Sequence, residues 1–404
     1  MRHLGPLSQL RRGHEELVLG LLRKHGPLSR GELGKRCGLS RTTLYDILAE
    51  LVTSGAVVTA TSQEAPRGRG RPAETLTLNP DAGQAIGIDF ARRAVHVAAV
   101  NVAHEVVGSA SEPHPADLSW EGKVELAGRL VGGLTGTHTG GTLRLGALSA
   151  MGVGVVGPVG DPEEERADRH RVEDLLRERF GVPVMSDNNT RLAALAESIW
   201  GAAAGGADVL YLRLSHGVGG GLVVGGALHR GAYGLSGEFG HITVDPHGSR
   251  CDCGGTGCLE TVASIRSVLD AYRAAGGHAD DVAELVKAVR SSDRAALDLL
   301  GDVGSRIGAV LAALCNAIGP SMIVIGGELA EAGPALLEPI EATLGAQIMP
   351  IARNRVSLRQ ATLGEVAGAL GGIALVLHES PLLSRYPAEP DQAEDPHMNR
   401  LARP

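Results

Sequence analysis

Three cysteines stand within eight residues, Cys251-Asp-Cys253-Gly-Gly-Thr-Gly-Cys258, and His241 lies ten residues before the first of them, closing a Glu238-Phe-Gly-His241 run. Thiolates at i, i+2 and i+7 with an upstream histidine can close a tetrahedral shell around one zinc ion. Glycines 254, 255 and 257 let the backbone wrap tightly enough to return the third sulfur to the first two. Three unrelated buried cysteines, or a disulfide, are the alternatives; the density and spacing of the cluster favour the metal. His241, Cys251, Cys253 and Cys258 are therefore the expected ligands. A full Cys3His set leaves no position for water, so the ion is expected to be structural. It would fix the loop that carries Glu238 and Glu260.

A chain of 404 residues is too long for one small core. Its formal net charge of -8 hides an asymmetry: residues 1–80 carry 12 Lys/Arg against 7 Asp/Glu, and the remainder carries 26 against 39. A basic head on an acidic body points to an anionic partner for the head, nucleic acid first among them. The N-terminus is polar, with Arg2, Arg11 and Arg12 and no apolar stretch behind them, unlike a secretory signal. Residues 307–327 are uncharged and long enough on paper to cross a bilayer. Asn316, Gly319, Pro320 and Ser321 interrupt them, so a buried helix, a turn and a short strand from Met322 to Ile325 is the better reading. The chain is expected to be cytoplasmic, without a membrane partner, and with Cys37 and Cys315 in core packing.

In the head, Leu17, Leu19, Leu21 and Leu22 mark a first helix ending at Gly26-Pro27. Ser29 opens a second, carrying Leu33 and ending near Gly38, and Ser40 caps a third in which Leu44, Ile47, Leu48 and Leu51 recur at helical spacing. Gly34, Gly38 and Leu44 fall where a helix-turn-helix needs a small contact, a turn and a core residue. Two strands follow, Ala56 to Thr61 and Glu74 to Leu78, around the tip Pro66-Arg-Gly-Arg-Gly-Arg-Pro72. Arg67, Arg69 and Arg71 on that glycine frame suit a narrow minor groove. Together these parts make a winged helix, whose third helix turns Arg41, Thr42, Tyr45 and Asp46 toward the major groove.

In the body, Ala85 to Asp89 reads as a buried strand, followed by a turn at 91–93 and a strand from Val95 to Val100. A second such unit runs over 208–231, in which Ser215-His-Gly-Val-Gly-Gly-Gly221 reads as a glycine-rich turn able to hold phosphate on backbone N–H groups. Two strand–turn–strand units point to a duplicated fold with a cleft between lobes.

The chain resembles the ROK family (repressors, open reading frames and sugar kinases) in its regulator branch, over roughly residues 10–378. The resemblance rests on the Gly-Arg-Gly-Arg-Pro wing, the Glu-x-Gly-His motif at 238–241 and the Cys-x-Cys-Gly-x-x-Gly-Cys-x-Glu run at 251–260. Ile323-Val-Ile-Gly-Gly327 also matches, where kinases of the family bind the nucleotide. It implies an α/β architecture: a winged helix-turn-helix over 1–80, then a two-lobed, actin-like (ribonuclease H-like) body. The lobes are expected over 81–200 and 201–380, with the final helix returning to the first lobe, and a disordered tail over 381–404.

The resemblance also assigns roles. Asn189, Glu238, His241 and Glu260 would contact a sugar-like effector in the cleft. Active kinases carry Asp-x-Gly-Gly-Thr where this chain has Asp89-Phe-Ala-Arg-Arg93, and place the catalytic aspartate where Asn189 stands. An amide cannot take a proton at neutral pH, so catalytic residues are expected to be absent. The asparagine segment expected after Gly157-Pro-Val-Gly160 is replaced by Asp161-Pro-Glu-Glu-Glu-Arg-Ala-Asp-Arg169. The expected protein is a repressor of carbohydrate genes, binding an inverted-repeat operator as a homodimer or homotetramer. The competing expectation is an ATP-dependent sugar kinase with an appended DNA-binding head.

Overall fold

The structure, a computed structural model, describes residues 6–53, 55–61, 74–79, 84–101, 104–136, 151–157 and 163–379. Two compact units divide the chain, one centred on residues 1–78 and the other spanning Asn79–Val376. The wing-tip arginines 67, 69 and 71 and the tail over 381–404 lie outside the described residues.

In the first unit, α1 (Pro6–His25), α2 (Arg30–Cys37) and α3 (Arg41–Thr53) follow one another with short connections. Ser29 caps α2 through a capping box: its hydroxyl accepts the Glu32 N–H while the Glu32 carboxylate takes the Ser29 N–H. Gly38 ends α2 in the left-handed region at φ 66°, where a side chain would be strained. The Ser40 hydroxyl then accepts the Thr43 N–H at 3.1 Å. Leu44, Ile47, Leu48 and Leu51 are buried along one stripe of α3. A Cβ on Gly34 would lie 3.5 Å from the Leu44 methyl, in ordinary contact, so a small residue suffices where α2 meets α3. The strands β2 (Val57–Thr61) and β3 (Glu74–Leu78) pair antiparallel, and β1 (Leu28–Ser29) adds to the far edge of β3. The result is a three-helix head with a three-stranded wing.

The second unit holds two five-stranded sheets of the same design. In the first, β4 (Gln84–Phe90), β5 (Ala94–Asn101) and β6 (Val106–Pro113) form an antiparallel meander. The strands β7 (Met151–Val155) and β8 (Val184–Asn188) then join β4 in parallel. The second repeats this order with β9 (Val209–Leu214), β10 (Val218–Val224), β11 (Ala227–His229), β12 (Met322–Gly326) and β13 (Ser357–Gln360). Parallel pairs need crossovers, supplied by α4 (Trp120–Gly136) and α5 (Glu163–Phe180) in the first half. The charged run at 163–169 thus opens a helix. The second half inserts the metal loop and α7 (Glu260–Ala263), α8 (Ile265–Ala274), α9 (Val282–Arg290), α10 (Arg294–Ile318) and α11 (Pro334–Gln347). The uncharged stretch at 307–327 is the end of α10, a left-handed cap at Gly319 and β12. No helix among the described residues is long and apolar enough to cross a membrane.

Each half ends in a helix that packs on the opposite sheet. After β8, α6 (Asn189–Ile199) lies across β10, and after β13, α12 (Ala367–Glu379) lies across β4 and β7. Glycines make both crossings possible. A Cβ on Gly87 or Gly152 would fall 1.9 or 1.7 Å from the carbonyl oxygens of Ala369 and Gly372 in α12. One on Gly221 would fall 2.6 Å from the Ala194 methyl in α6. Where the helices meet, Gly371 leaves room for the Leu192 backbone. The fully buried carboxylate of Glu197 ties α6 to the approach to α12, accepting N–H bonds from Thr362 and Leu363, each at 2.9 Å.

Candidate functional site

The metal loop begins in a 3-10 turn, Phe239–His241, and ends at Cys258, two residues before α7. Isolated bridges at Thr243–Cys258 and Arg250–Thr256 fold it back on itself. Gly257 (φ 66°) passes so near the Asp245 carbonyl that a Cβ would lie 1.5 Å from its oxygen. One nitrogen of His241 and the three sulfurs all lie within 4.8 Å of one another. The Cys253 and Cys258 sulfurs are 3.7 Å apart, and the Cys251 sulfur is 3.6 Å from His241 Nδ1. A tetrahedron with metal–sulfur bonds of about 2.3 Å and a metal–nitrogen bond of about 2.05 Å has edges of about 3.8 and 3.6 Å. Disulfide sulfurs would stand about 2.05 Å apart. Gly255 leaves the space above the sulfurs clear: a Cβ there would be 3.3 Å from both Cys253 and Cys258.

Without a cation the three thiols are poorly matched to one another. Burial pushes the Cys251 thiol up, and burial with the neighbouring sulfurs pushes Cys258 up to about 12. The Gly255 N–H, pointing at Cys253, pulls that thiol down. A divalent cation reverses the penalty on the two buried thiols by making thiolate their favoured form. The donor set, its spacing and its charge fit a tetrahedral metal.

Three of the candidate effector residues, Glu238, His241 and Glu260, gather around β10, while Asn189 sits against β4 and β7. Glu260 opens α7 and accepts the Val218 N–H at 2.8 Å, which leaves its second oxygen for another donor. Phe239 packs over Gly220, where a Cβ would meet the ring at 2.2 Å, and this places Glu238 beside the same strand. Thr190 and Arg191 of α6 sit over Gly219 and Gly221. The glycine-rich segment read as a phosphate-holding turn is thus a strand, Val218–Val224, and the turn is confined to 215–217. Its glycines admit the helix and the ring that carry the site, because each close approach removes the space a side chain needs.

Asn189 is buried at the first position of α6, and its amide donates to Asp89 Oδ1 at 3.1 Å. Asp187 is 1% exposed and held by two guanidinium groups, Arg191 from α6 and Arg230 after β11. Arg191, also 1% exposed, reaches on to the carbonyls of Gly234 and Ser236, pinning the loop that leads to Glu238. Arg191 and Arg230 were not singled out in the sequence, and Asp89 only as the start of the altered cradle. A charged pair four residues apart with one member on a strand and the other on the helix after it has no periodic signature. A buried arginine shows only once its carboxylate and carbonyl partners are placed.

Burial raises the Asp89 carboxyl above its ordinary value of 3.8, against the opposing pull of Arg213, His96 and Asn189. Its Oδ2 has no hydrogen-bond partner among the described residues and faces Gly368. The folded chain therefore holds this proton more tightly than the unfolded one. The stabilisation is fully present below 3.8 and is lost as pH rises through the folded value. Asp89→Asn removes the dependence, so the melting-temperature difference should shift in favour of the variant between about pH 4 and about pH 8. A constant difference would show that Asp89 titrates normally.

A separate cavity of about 590 Å³ lies near the ends of β4, β9 and β12, with Arg93, His216, Asp270, Asp281, Glu328 and Glu331 on its walls. None of Asn189, Glu238, His241 or Glu260 lines it. The Gly326-Gly327 turn leads directly into Glu328. In the head, Arg41, Thr42, Tyr45 and Asp46 are all exposed on α3.

Comparison with known proteins agrees with this anatomy. The repressor Mlc of Escherichia coli, named a DNA-binding transcriptional repressor, is 28% identical over 393 residues, covering 92% of this chain and 94% of its own. A glucokinase of Halalkalibacterium halodurans is 38% identical over 220 residues, covering 51% of this chain and 67% of its own. The solved structure of a ROK family transcriptional regulator, a homolog of the E. coli MLC protein, matches with a TM-score of 0.77 at 26% identity, over 93% of this chain and 97% of that one. The model of the ROK family matches residues 86–379, and with the duplicated sheets, the Cys3His loop and the winged head the chain belongs to the ROK family.

Proposed function

We propose that the protein is a sugar-responsive transcriptional repressor of carbohydrate genes, cytoplasmic, acting as a homodimer or homotetramer on an inverted-repeat operator. The observation that carries the reading is the winged head, with Arg41, Thr42, Tyr45 and Asp46 exposed on its third helix, joined to a ROK body. A two-fold assembly presents two such helices to two half-sites. Arg67, Arg69 and Arg71 would enter the minor groove beside them.

In the body, a sugar-like effector would hydrogen-bond to Asn189, Glu238, His241 and Glu260. Carboxylates and an amide suit vicinal hydroxyls because they accept and donate at fixed angles. The metal is zinc, held by His241 Nδ1 and the three thiolates. Its part is to hold the Glu238–Glu260 loop in shape, since four protein ligands leave no site for a substrate. With α6 and α12 exchanged between lobes, closing the cleft moves each sheet with the helix of the other. An effector that prefers the closed form then shifts the spacing of the heads.

Sugar phosphorylation is disfavoured on three grounds. Asn189 offers an amide where a base is needed, and it faces Asp89. Asp187 is buried between two arginines and unavailable for proton transfer. Arg92 and Arg93 are exposed where a glycine cradle would admit phosphate, and Glu328 places a carboxylate after the second turn.

Selection of genomic fragments by the purified full chain tests the proposal. A shared palindromic motif is the expected result, and no enrichment at low or moderate salt would sink it. A coupled ATP assay over a hexose panel should read at background for both the wild-type chain and Asn189→Asp. Turnover by the wild type would bring the kinase reading forward.

A further inference from the structure

The head carries a pair formed between α2 and α3, half-buried at Arg30 and exposed at Tyr45. Arg30 is the first residue of α2, and Tyr45 stands on α3. The Arg30 guanidinium carbon lies over the Tyr45 ring, 5.6 Å from its centroid, within cation–π range. Tyr45 is 64% exposed, so the ring stands clear of the core and presents the guanidinium on the side of α3 that also exposes Arg41 and Thr42.

We infer, on the DNA-binding reading above, that Arg30 grips a DNA phosphate and that Tyr45 positions it instead of reading a base. In a helix-turn-helix the helix before the recognition helix crosses the sugar–phosphate backbone, and Arg30 opens that helix. The planar guanidinium fork matches two phosphate oxygens, and its face can remain stacked while its edge donates. An arginine already seated on a ring surrenders less side-chain freedom on docking. Arg30 lies over one face of the ring and so closes that face to a base. The contact therefore adds affinity and register on the duplex, and sequence choice rests with the neighbouring residues of α3.

Full-length wild type and variants would be titrated on a duplex carrying the selected motif and on a scrambled duplex, across a salt series. Arg30→Ala should weaken both by about tenfold and reduce the salt slope by about one. Tyr45→Phe, which keeps the ring, should bind like wild type, and Tyr45→Leu should lose several-fold. In the Tyr45→Leu background Arg30→Ala should cost less than it does alone, and Arg30→Lys should fall between wild type and Arg30→Ala. Tight wild-type binding with no loss in Arg30→Ala overturns the inference. So does a loss confined to the motif duplex, which would make Arg30 a base reader, or a Tyr45→Phe loss equal to that of Tyr45→Leu, which would give the hydroxyl the contact. Absence of binding by the wild type to either duplex is a separate result and fails the DNA-binding reading itself.

Discussion

Cys258→Ser should abolish metal binding at the Cys3His cluster and cost the body about 3–5 kcal/mol of stability. Cys258 is 2% exposed, and its sulfur stands at the hinge of the loop, between the bridge to Thr243 and the start of α7. A serine hydroxyl is a far weaker ligand than a thiolate, and three remaining donors cannot close the shell. Metal content measured by emission spectroscopy should fall from one equivalent per chain toward none, and the melting temperature should fall with it. Cys253→Ser, at an exposed position, should lose metal with a smaller packing penalty, separating ligation from burial. Full metal content in Cys258→Ser, or none in carefully prepared wild type, would remove the metal from the account.

Asp187→Asn should destabilise the body by about 3–5 kcal/mol while leaving the metal bound. The substitution keeps the shape of the side chain and deletes the charge that compensates Arg191, which is 1% exposed. A guanidinium left buried without its carboxylate bears the full cost of desolvation, which the carbonyls of Gly234 and Ser236 offset only in part. Because Arg191 also pins the loop before Glu238, effector affinity should fall more than the metal content does. Denaturant unfolding of wild type and variant, with metal analysis beside it, reads both effects. A loss below about 1 kcal/mol would mean that water reaches the pair in solution.

The two predictions differ in how visible their residues are in the primary structure. The metal site is local. Cys251, Cys253 and Cys258 lie close in the chain, glycines between them supply the turns, and donor chemistry restricts what such a set can hold. The head is equally local: Ser29, Gly38 and Ser40 act within one helical turn, so the caps and the apolar stripe of α3 are written in order along the chain. Asn189 stood out for a similar reason, because the chemistry of an amide is a property of the residue itself.

The glycines of 219–221 and the charges of Asp187, Arg191 and Arg230 were opaque for the opposite reason. A glycine that yields to Phe239 or to α6 looks the same in sequence as one that turns a loop, since only the approaching atoms distinguish them. The ion network joins residues whose separation along the chain is fixed by the fold, not by a helical or strand period. The sequence by itself determined the short-range features: the helix caps, the Cys3His donor set and the apolar stripe of α3. The return of α12 to the first sheet was expected from the resemblance, but the tertiary structure alone decided that α6 crosses the other way and how both crossings are made, because they depend on backbone passing within van der Waals reach of Gly87, Gly152 and Gly221, contacts made between segments far apart in the chain.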